Sequence, residues 1–298
     1  MKQVLRRCPL GLGYTGISLV AVLTLLSGIV PQSVLAASET SGGSTAPSKQ
    51  KFEFAVGGFF PRINSTVSLG PTGGGDGGTI DLEDDLGLND TSASPWVSFD
   101  WHFQPRHNLH VEWFQLNRDG DTTATRTFTI GETEVFAGVS LDSQMDINLG
   151  RITYSYSFVQ KDKWDLAFNV GAHVVTTKVT ATASGLISVD GGPIFDQTNT
   201  ESTSTLTFPL PHIGGVLEYK FNPKVKGVFQ VLLFAIEVGD VRGSLLEVDA
   251  QAQYQISKHF GIGGGLKYFK LDVEDSGGQV TDFRFQFLGP AIYGYTSF

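Results

Sequence analysis

The sequence predicts an all-β fold, a transmembrane antiparallel up-and-down β-barrel of about ten strands, with eight or twelve strands also compatible. Three observations predict it. Hydrophobicity alternates with period two, the alternating segments exceed the usual strand length of about five or six residues, and short turns alternate with longer loops. Composition agrees, because glycine is abundant (36 of 298 residues) and only 17% of the residues are charged. A soluble domain usually has about a quarter of its residues charged, so an ordinary helical enzyme is disfavoured.

The N-terminal residues 1–36 have the layout of a secretory signal peptide. A basic start without acidic residues is followed by the apolar run Ile17–Val30, and small residues lie around Ala36. This run of about 14 residues is short of the roughly 20 that a membrane-spanning helix needs, so we expect cleavage rather than a permanent anchor. Residues 37–51 are polar and rich in small residues, which predicts a flexible periplasmic linker before the barrel at 52–298.

Cysteine and charge content exclude several classes of function. The single cysteine, Cys8, precedes the apolar run, so the mature chain has no thiol for a disulfide, a metal site or a nucleophile. Three of the 21 Lys and Arg residues lie in the expected signal peptide, leaving 18 against 30 Asp and Glu residues. Nucleic acid is not an expected partner, because binding phosphates needs a basic surface. The six histidines form no His-x-His or His-x-x-x-His cluster, so we expect no metal and no cofactor.

The alternation separates an apolar face from a polar face on several strands. From Leu246 to Ile256 every second residue is apolar, and the residues between them are Glu, Asp or Gln. Residues 95–104 repeat the pattern with large aromatic residues on the apolar face. Near the C-terminus, Phe283, Phe285 and Phe287 alternate with polar residues, which predicts that these rings face lipid. An apolar outer band around a polar interior is what a closed barrel in a bilayer requires.

Turn signals divide the chain into strands and assign its two sides. Short turns are expected near residues 105–107, 161–163, 222–224 and 257–259, on the periplasmic side with both termini. On the other side, we expect long loops at 70–94 and 185–204, a hairpin tip at 119–141 and tight turns at 239–243 and 275–278. The ten predicted strands lie near residues 52–64, 95–104, 108–118, 146–159, 165–182, 205–221, 225–238, 244–257, 261–273 and 280–297.

The C-terminal segment Ala291–Phe298 resembles the closing strand of porin-like bacterial outer-membrane β-barrel proteins. Strands of that kind end in a phenylalanine that the barrel-assembly machinery reads, and Phe298 matches it. The segment departs from the pattern at Gly294 and Thr296, which stand where the family has hydrophobic residues in step with the terminal phenylalanine. The segment Ile80–Leu88 is similar to a stretch in uncharacterised proteobacterial outer-membrane proteins. The resemblance implies insertion into the cell outer membrane through Phe298; we further expect contact with membrane lipid and lipopolysaccharide, and a monomer.

Parity along the predicted strands places a set of charged residues in the lumen. Its members are Asp100, His102, His110, Glu112, Arg151, His173, Glu218, Lys220, Lys226, Glu247, Asp249, Lys267 and Arg284. A charge enclosed by protein needs a partner or water, so these residues form either a hydrated, salt-bridged plug or the lining of a small polar pore. The choice stays open at this point, because ten strands are only slightly more than the roughly eight whose interior side chains fill the barrel.

Two further kinds of chemistry are considered, hydrolysis in the lumen and cation binding in the acidic loop. A hydrolase could use His173 with Glu112 and one of the serines Ser155 and Ser157, but no spacing requires this, so we predict no catalytic residue. A weak cation site is conceivable in the acidic loop, at Asp81, Glu83, Asp84 and Asp85. That loop lacks the Asp-x-Asp-x-Asp-Gly spacing, and its leucines suggest that part of it packs back on the barrel rim.

The sequence therefore predicts an integral outer-membrane β-barrel that is structural or forms a small polar pore. Two alternatives remain. One is an outer-membrane hydrolase of lipid or peptide, and the other is a surface adhesin that acts through loops 70–94, 119–141 and 185–204.

Overall fold

The computed structural model describes residues 51–69, 78–125, 128–130, 133–189, 195–275 and 280–298. Within these ranges the chain is built of β-strands and turns, and no helix is long and apolar enough to cross a membrane. The expected signal peptide, and the linker up to residue 50, lie outside the described residues.

The described strands follow one another mostly as hairpins. They are β1 (Phe52–Phe59), β2 (Arg62–Leu69), β3 (Gly78–Asp81), β4 (Ser94–Gln104), β5 (His107–Thr123), β6 (Phe128–Ile130), β7 (Thr133–Val135), β8 (Ser140–Gln160), β9 (Trp164–Val189), β10 (Phe195–Asn222), β11 (Val225–Val238), β12 (Val241–Gln255), β13 (Phe260–Asp275) and β14 (Val280–Ser297).

Ten strands close into an antiparallel barrel. The neighbour order is β1, β4, β5, β8, β9, β10, β11, β12, β13 and β14, and β14 pairs again with β1. Strand β2 continues β1 beyond Phe60 and Pro61 and stays paired with β14. Around the middle of the bilayer, closure leaves no strand with a free edge. In the bilayer core no water is available to the backbone, so every strand there must pair its N–H and C=O groups with a neighbouring strand. The prediction of an all-β, ten-stranded antiparallel barrel is confirmed.

The strands on one side of the barrel are longer than predicted. Strand β9 continues to Val189 and β10 begins at Phe195, so most of the segment predicted as a loop at 185–204 is strand. In the same way β5 extends to Thr123 and β8 begins at Ser140, and the short β6–β7 pair lies between them in the chain. The extensions of β9 and β10 are rich in Thr and Ser and lack an apolar face, so their sequence predicts a loop.

An apolar band surrounds the outer face of the barrel. On β9 it runs from Trp164 to Val174, which matches the roughly 9–11 residues that a tilted strand needs to cross a bilayer. Phe168 in the middle of this stretch is 49% exposed, whereas its neighbours Ala167 and Asn169 are buried in the interior. Beyond Val174 the outer face of β9 becomes polar, so the strand leaves the membrane and continues on the side of the long connections.

The three phenylalanines of β14 lie on the opposite face from the one predicted. Phe285 and Phe287 are buried inside the barrel, where Phe287 stacks on Phe269 with ring centroids 5.1 Å apart, and Phe283 packs against the same cluster. The prediction that they face lipid was wrong. An aromatic alternation also occurs where a barrel interior is packed with hydrophobic side chains, and parity cannot separate the two cases.

A positive charge in the middle of the apolar band is expected to be costly. Val248 faces outward on β12, opposite Tyr268 and Val231. The Val248→Arg variant should lose about 2–4 kcal/mol of unfolding free energy in a urea titration of the barrel refolded into lipid vesicles. Ser244→Arg, on the same face but at the level of Asp272, should change it by at most about 1 kcal/mol. Equal costs at the two positions would contradict this assignment of the lipid band.

Candidate functional site

The middle of the lumen holds a charged layer of five side chains. It consists of Glu112 on β5, Arg151 on β8, Glu247 and Asp249 on β12, and Lys267 on β13. Register places them together, because Glu112 pairs with Arg151 across β5 and β8, and Asp249 with Lys267 across β12 and β13. None of the five is more than 3% exposed, so each charge depends on the others rather than on bulk water.

Arg151 and Lys267 share the three carboxylates. Arg151 Nη2 donates to Glu112 Oε2 at 2.9 Å, and its Nη1 donates to Glu247 and, at 3.3 Å, to Asp249 Oδ2. Lys267 Nζ donates to Glu112 Oε1 at 2.6 Å, Glu247 Oε1 at 3.0 Å and Asp249 Oδ2 at 3.2 Å. Two cations thus face three anions in a closed network that joins four strands.

A line of histidines extends the charged layer toward β10. His173 Nε2 lies 2.6 Å from Glu247 Oε2, and His173 Nδ1 lies 3.1 Å from His212 Nδ1. His212 Nε2 is 3.1 Å from the hydroxyl of Thr153. Because two ring nitrogens meet, one must donate and the other accept.

This line of groups does not form the hydrolase arrangement considered from the sequence. His173 contacts Glu247 instead of Glu112, and the hydroxyl at the end of the line belongs to Thr153, not to Ser155 or Ser157. Thr153 and His173 are completely buried. A nucleophile needs access to its substrate, and this position offers none.

A hydrophobic layer lies directly above the charged layer, on the side of the long connections. Strand periodicity creates part of it, because four members lie two residues along a strand from a charged one: Phe114 follows Glu112, Phe269 follows Lys267, and Leu149 and Leu245 precede Arg151 and Glu247. Edge-to-face contacts join the rings of Phe59, Phe114 and Phe287, with centroids 5.3 to 5.7 Å apart. The members, all at most 2% exposed, are Phe59, Ile63, Phe114, Leu116, Ile147, Leu149, Leu245, Phe269 and Phe287.

A cap formed by residues 80–93 packs on the core above the hydrophobic layer. It fills the space between β2 and β5, because β4 begins only at Ser94, and its leucines Leu82, Leu86 and Leu88 point into the core. Arg118 on β5 fixes it from within. Its guanidinium donates to Asn89 O at 2.8 Å and Ser65 Oγ at 2.9 Å, and forms an ion pair with Glu83.

Carboxylates of the acidic loop accept hydrogen bonds from the loop itself and from neighbouring strands. The cation site considered at Asp81, Glu83, Asp84 and Asp85 is therefore not assembled. Asp81 Oδ1 accepts the backbone N–H groups of Glu83 and Asp84 at 3.0 and 2.9 Å. Asp85 Oδ2 accepts the N–H of Asp81 at 3.0 Å, and Glu83 is held by Ser65 and Arg118. Across the described part of the chain, no group of three or more His, Cys, Asp and Glu side chains is arranged to hold a metal ion.

The structure separates one predicted lumen residue from the others. Inward positions are occupied by Asp100, His102, His110, Glu112, Arg151, His173, Glu218, Lys220, Lys226, Glu247, Asp249 and Lys267. Arg284 instead lies on the outer face, where its side chain is 59% exposed and donates to Asp282 at 2.7 Å. The cause is the parity of β14: its phenylalanines face inward, so Arg284 faces outward.

Two buried residues of the interior were missed by sequence reasoning. His212 follows Pro209 and Pro211, which hide the alternation, although it has the same parity as the predicted lumen residue Glu218. Arg118 lies six residues after Glu112 on β5 and has the same parity, so continuing the inward positions along this strand would have identified it.

A second candidate site is a polar cleft on the outer face of the extended strands. It has a volume of about 460 Å³ and lies beyond the apolar band on β5, β8 and β9. Asp121 and Asp142 stand directly opposite each other in the register of β5 and β8. Like charges at such positions repel, and no cation lines the cleft. The lining residues are Asp121, Ser140, Asp142, Gln144, Thr180, Thr182 and Ser184.

No protein-family model and no curated protein sequence matches this chain. Solved structures do match it. The outer-membrane protease OmpT from Escherichia coli aligns with a TM-score of 0.52 and 12% identity, over 87% of this chain and 100% of that chain. The chain has the fold of a bacterial outer-membrane β-barrel. This fold and the outward apolar band place the protein in the outer membrane as an integral barrel.

Two other outer-membrane barrels are similar at lower TM-scores. The attachment invasion locus protein Ail from Yersinia pestis aligns with a TM-score of 0.30 and 11% identity, over 83% of this chain and 98% of that chain. The toluene transporter TodX from Pseudomonas putida aligns with a TM-score of 0.35 and 8% identity, over 83% of this chain and 89% of that chain.

Proposed function

We propose that this outer-membrane barrel is closed to solutes and acts as a surface-binding protein through its extracellular strands. The observation that supports the proposal is the filled lumen. A buried charged layer, a buried hydrophobic layer and the cap at residues 80–93 follow one another along the barrel axis. Of the functions predicted from the sequence, a structural barrel and an adhesin fit such an interior, whereas a polar pore needs a continuous water-filled path.

The extracellular extension is the part of the barrel that a structural role does not require. Strands β8, β9 and β10 contain 21, 26 and 28 residues, far more than the roughly 9–11 needed to cross the membrane. The outer faces of β8 and β9 are polar there, and the backbones of β8, β9 and β10 stay paired well beyond the membrane, with one irregularity between Gln197 and Thr200. A rigid, paired sheet holds a binding surface in place better than a mobile loop does.

The polar cleft supports a basic ligand. Its hydroxyl and amide groups both donate and accept hydrogen bonds, whereas the carboxylates of Asp121 and Asp142 only accept and give the cleft negative charge without a balancing cation in its lining. A ligand with hydrogen-bond donors and positive charge, such as a basic peptide segment, complements both properties. Charge attraction across such a surface raises the association rate and weakens with salt.

The proposal predicts that a basic peptide binds through the two opposed aspartates. A fluorescent octalysine peptide is titrated onto the barrel in nanodiscs, and binding is followed by anisotropy. Asp121→Asn with Asp142→Asn should weaken binding about tenfold, and added salt should weaken it further. The matched control is Glu237→Gln with Glu274→Gln, which changes net charge equally at another exposed site and should leave binding within about twofold. Equal losses in the two variants would contradict a role for the cleft.

A further inference from the structure

Strand β10 has a free edge on the extracellular side. Its pairing with β9 runs from Phe195 to Tyr219, whereas its pairing with β11 begins only at Ile213. Among the strands that the structure describes, none pairs with the second edge of residues 195–212, which we call the β10 edge. Unpaired N–H and C=O groups along such an edge are a template for another strand.

Two prolines explain why the pairing with β11 stops. Pro209 and Pro211 both keep their positions in the ladder with β9. In an antiparallel ladder alternate residues bond to alternate neighbours, so a proline that stays in register with β9 turns its nitrogen toward the β11 side. That nitrogen has no hydrogen to donate, and β11 is lost as a partner directly above Ile213. Pro209 lies opposite Val174, so the β10 edge begins where the apolar band ends.

Beyond the prolines the β10 edge lacks the features that usually protect a strand edge. Natural edges are blocked by lysines, prolines, bulges or a covering element. Residues 200–208 contain no proline and no lysine, and they follow a regular register with β9. Thr205 and Thr207 are exposed. This stretch therefore offers an extended and accessible backbone to a partner strand.

The charge around the β10 edge is negative. Residues 195–217 include Asp196 and Glu201 and neither lysine nor arginine. Lys178 on β9 lies opposite Asp146 of β8 in the register, so its charge is offset there. A partner strand that carries positive charge is favoured at such an edge over a neutral or an acidic one.

We propose that an extended basic peptide segment of an extracellular partner adds to the β10 edge as an antiparallel strand. Main-chain hydrogen bonds hold the peptide, and every second side chain of the peptide lies on the same face of the sheet as the polar cleft. The cleft residues Thr180 and Thr182 are on β9, the strand beside β10. This inference rests on the proposed function and adds how the basic peptide is held: by its backbone at the β10 edge, next to the acidic cleft.

A second copy of this chain is a poorer occupant of the β10 edge. Barrels inserted into one membrane share an orientation, so two β10 strands placed side by side run parallel, and parallel pairing is slightly the weaker. Such pairing also sets two acidic segments next to each other, which is unfavourable. A peptide that approaches from solution can adopt the antiparallel direction.

Disulfide crosslinking with a defined peptide tests the register. The whole chain is expressed with its export signal, in a Cys8→Ser background that removes its single cysteine, and is placed in nanodiscs. The probe is a peptide of alternating lysine and threonine that carries one cysteine at successive positions. Thr205→Cys and Thr207→Cys should crosslink to peptide positions two residues apart and in reverse order, because antiparallel partners run in opposite directions. Crosslinks without a register, in a parallel register, or mainly to Thr180→Cys in the cleft would each overturn the proposal.

Loss of single N–H groups separates backbone pairing from charge. Thr205→Pro has the parity of Pro209 and Pro211, so it removes a donor from the β10 edge and leaves the ladder with β9 intact. It should weaken binding of the peptide about tenfold, whereas the matched Thr205→Val, which keeps the N–H, should leave binding within about twofold. Both variants should keep the heat-modifiable migration of a folded barrel. Equal binding by the two variants would overturn the proposal.

A peptide methylated at every backbone nitrogen makes the same test on the unaltered barrel. It keeps its charges but cannot donate to β10, so it should bind at least about tenfold more weakly than the unmodified peptide. If methylation has no effect and Asp121→Asn with Asp142→Asn weakens both peptides alike, the edge pairing is wrong and the proposed function stands. If neither peptide binds the unaltered barrel, both fail.

Discussion

The Arg151→Met variant is expected to lose about 3–5 kcal/mol of unfolding free energy, because removing one partner leaves uncompensated charge in the interior. Arg151 donates to Glu112, Glu247 and Asp249, and Lys267 alone cannot neutralise three carboxylates. The measurement is a urea titration of the barrel refolded into lipid vesicles. We expect a lower transition midpoint with an unchanged slope, since the exposed surface on unfolding is the same.

Two comparisons show whether the loss comes from buried charge. Arg242→Met removes an ion pair with Glu237 in which the arginine side chain is 63% exposed, and it should cost less than about 1 kcal/mol. Adding Glu247→Gln to Arg151→Met removes one of the uncompensated negative charges and should recover part of the lost unfolding free energy. An Arg151→Met cost as small as that of Arg242→Met would contradict a desolvated charged layer.

The Arg118→Met variant is expected to release the cap at residues 80–93. The guanidinium of Arg118 is fully buried and joins β5 to Glu83, Ser65 and Asn89 across the space where β4 is absent. Without it Glu83 is a largely buried carboxylate, 12% exposed, with only Ser65 as a partner, which costs about 3 kcal/mol while the cap stays in place. The cap relieves this cost by moving Glu83 into water, so local opening should precede unfolding of the barrel.

Limited proteolysis of intact barrels reports this opening. A Glu-specific protease should cut after Glu83 in the Arg118→Met variant and leave the unaltered barrel intact. Arg62→Met is the control, because Arg62 pairs with Asp90 of the same cap at 2.9 Å but its side chain is 80% exposed. If Arg62→Met opened the cap as readily as Arg118→Met, the buried ion pair would not be what holds it.

Period-two alternation was enough to predict the barrel wall, and the physical reason is the membrane. Strands such as β12 have lipid on one face, so polar and apolar residues from Leu246 to Ile256 separate cleanly. The same parity placed Glu112, Arg151, Glu247 and Lys267 inward, because each lies next to an outward apolar residue. Only the strand count and these faces could be obtained in this way.

Parity could not assign the faces of a strand where the inward side chains are apolar and the outward ones polar, or where both faces are polar. Phe285 is apolar because it fills the lumen, so its alternation with Arg284 gave the wrong face to both residues. Beyond the membrane, the Ser- and Thr-rich ends of β9 and β10 lack contrast and were predicted as loop. The contact between Glu83 and Arg118 joins residues 35 positions apart, and no local pattern reveals it.

Single-channel recording tests the closed lumen most directly. Residues 37–298, without the expected signal peptide, are refolded into a planar bilayer under an applied voltage. The buried charged and hydrophobic layers predict a folded, heat-modifiable barrel that inserts without conductance steps, and removing the rings with Phe114→Ala and Phe287→Ala should introduce them. Discrete, reproducible steps from the unaltered barrel would show an open lumen and contradict the account.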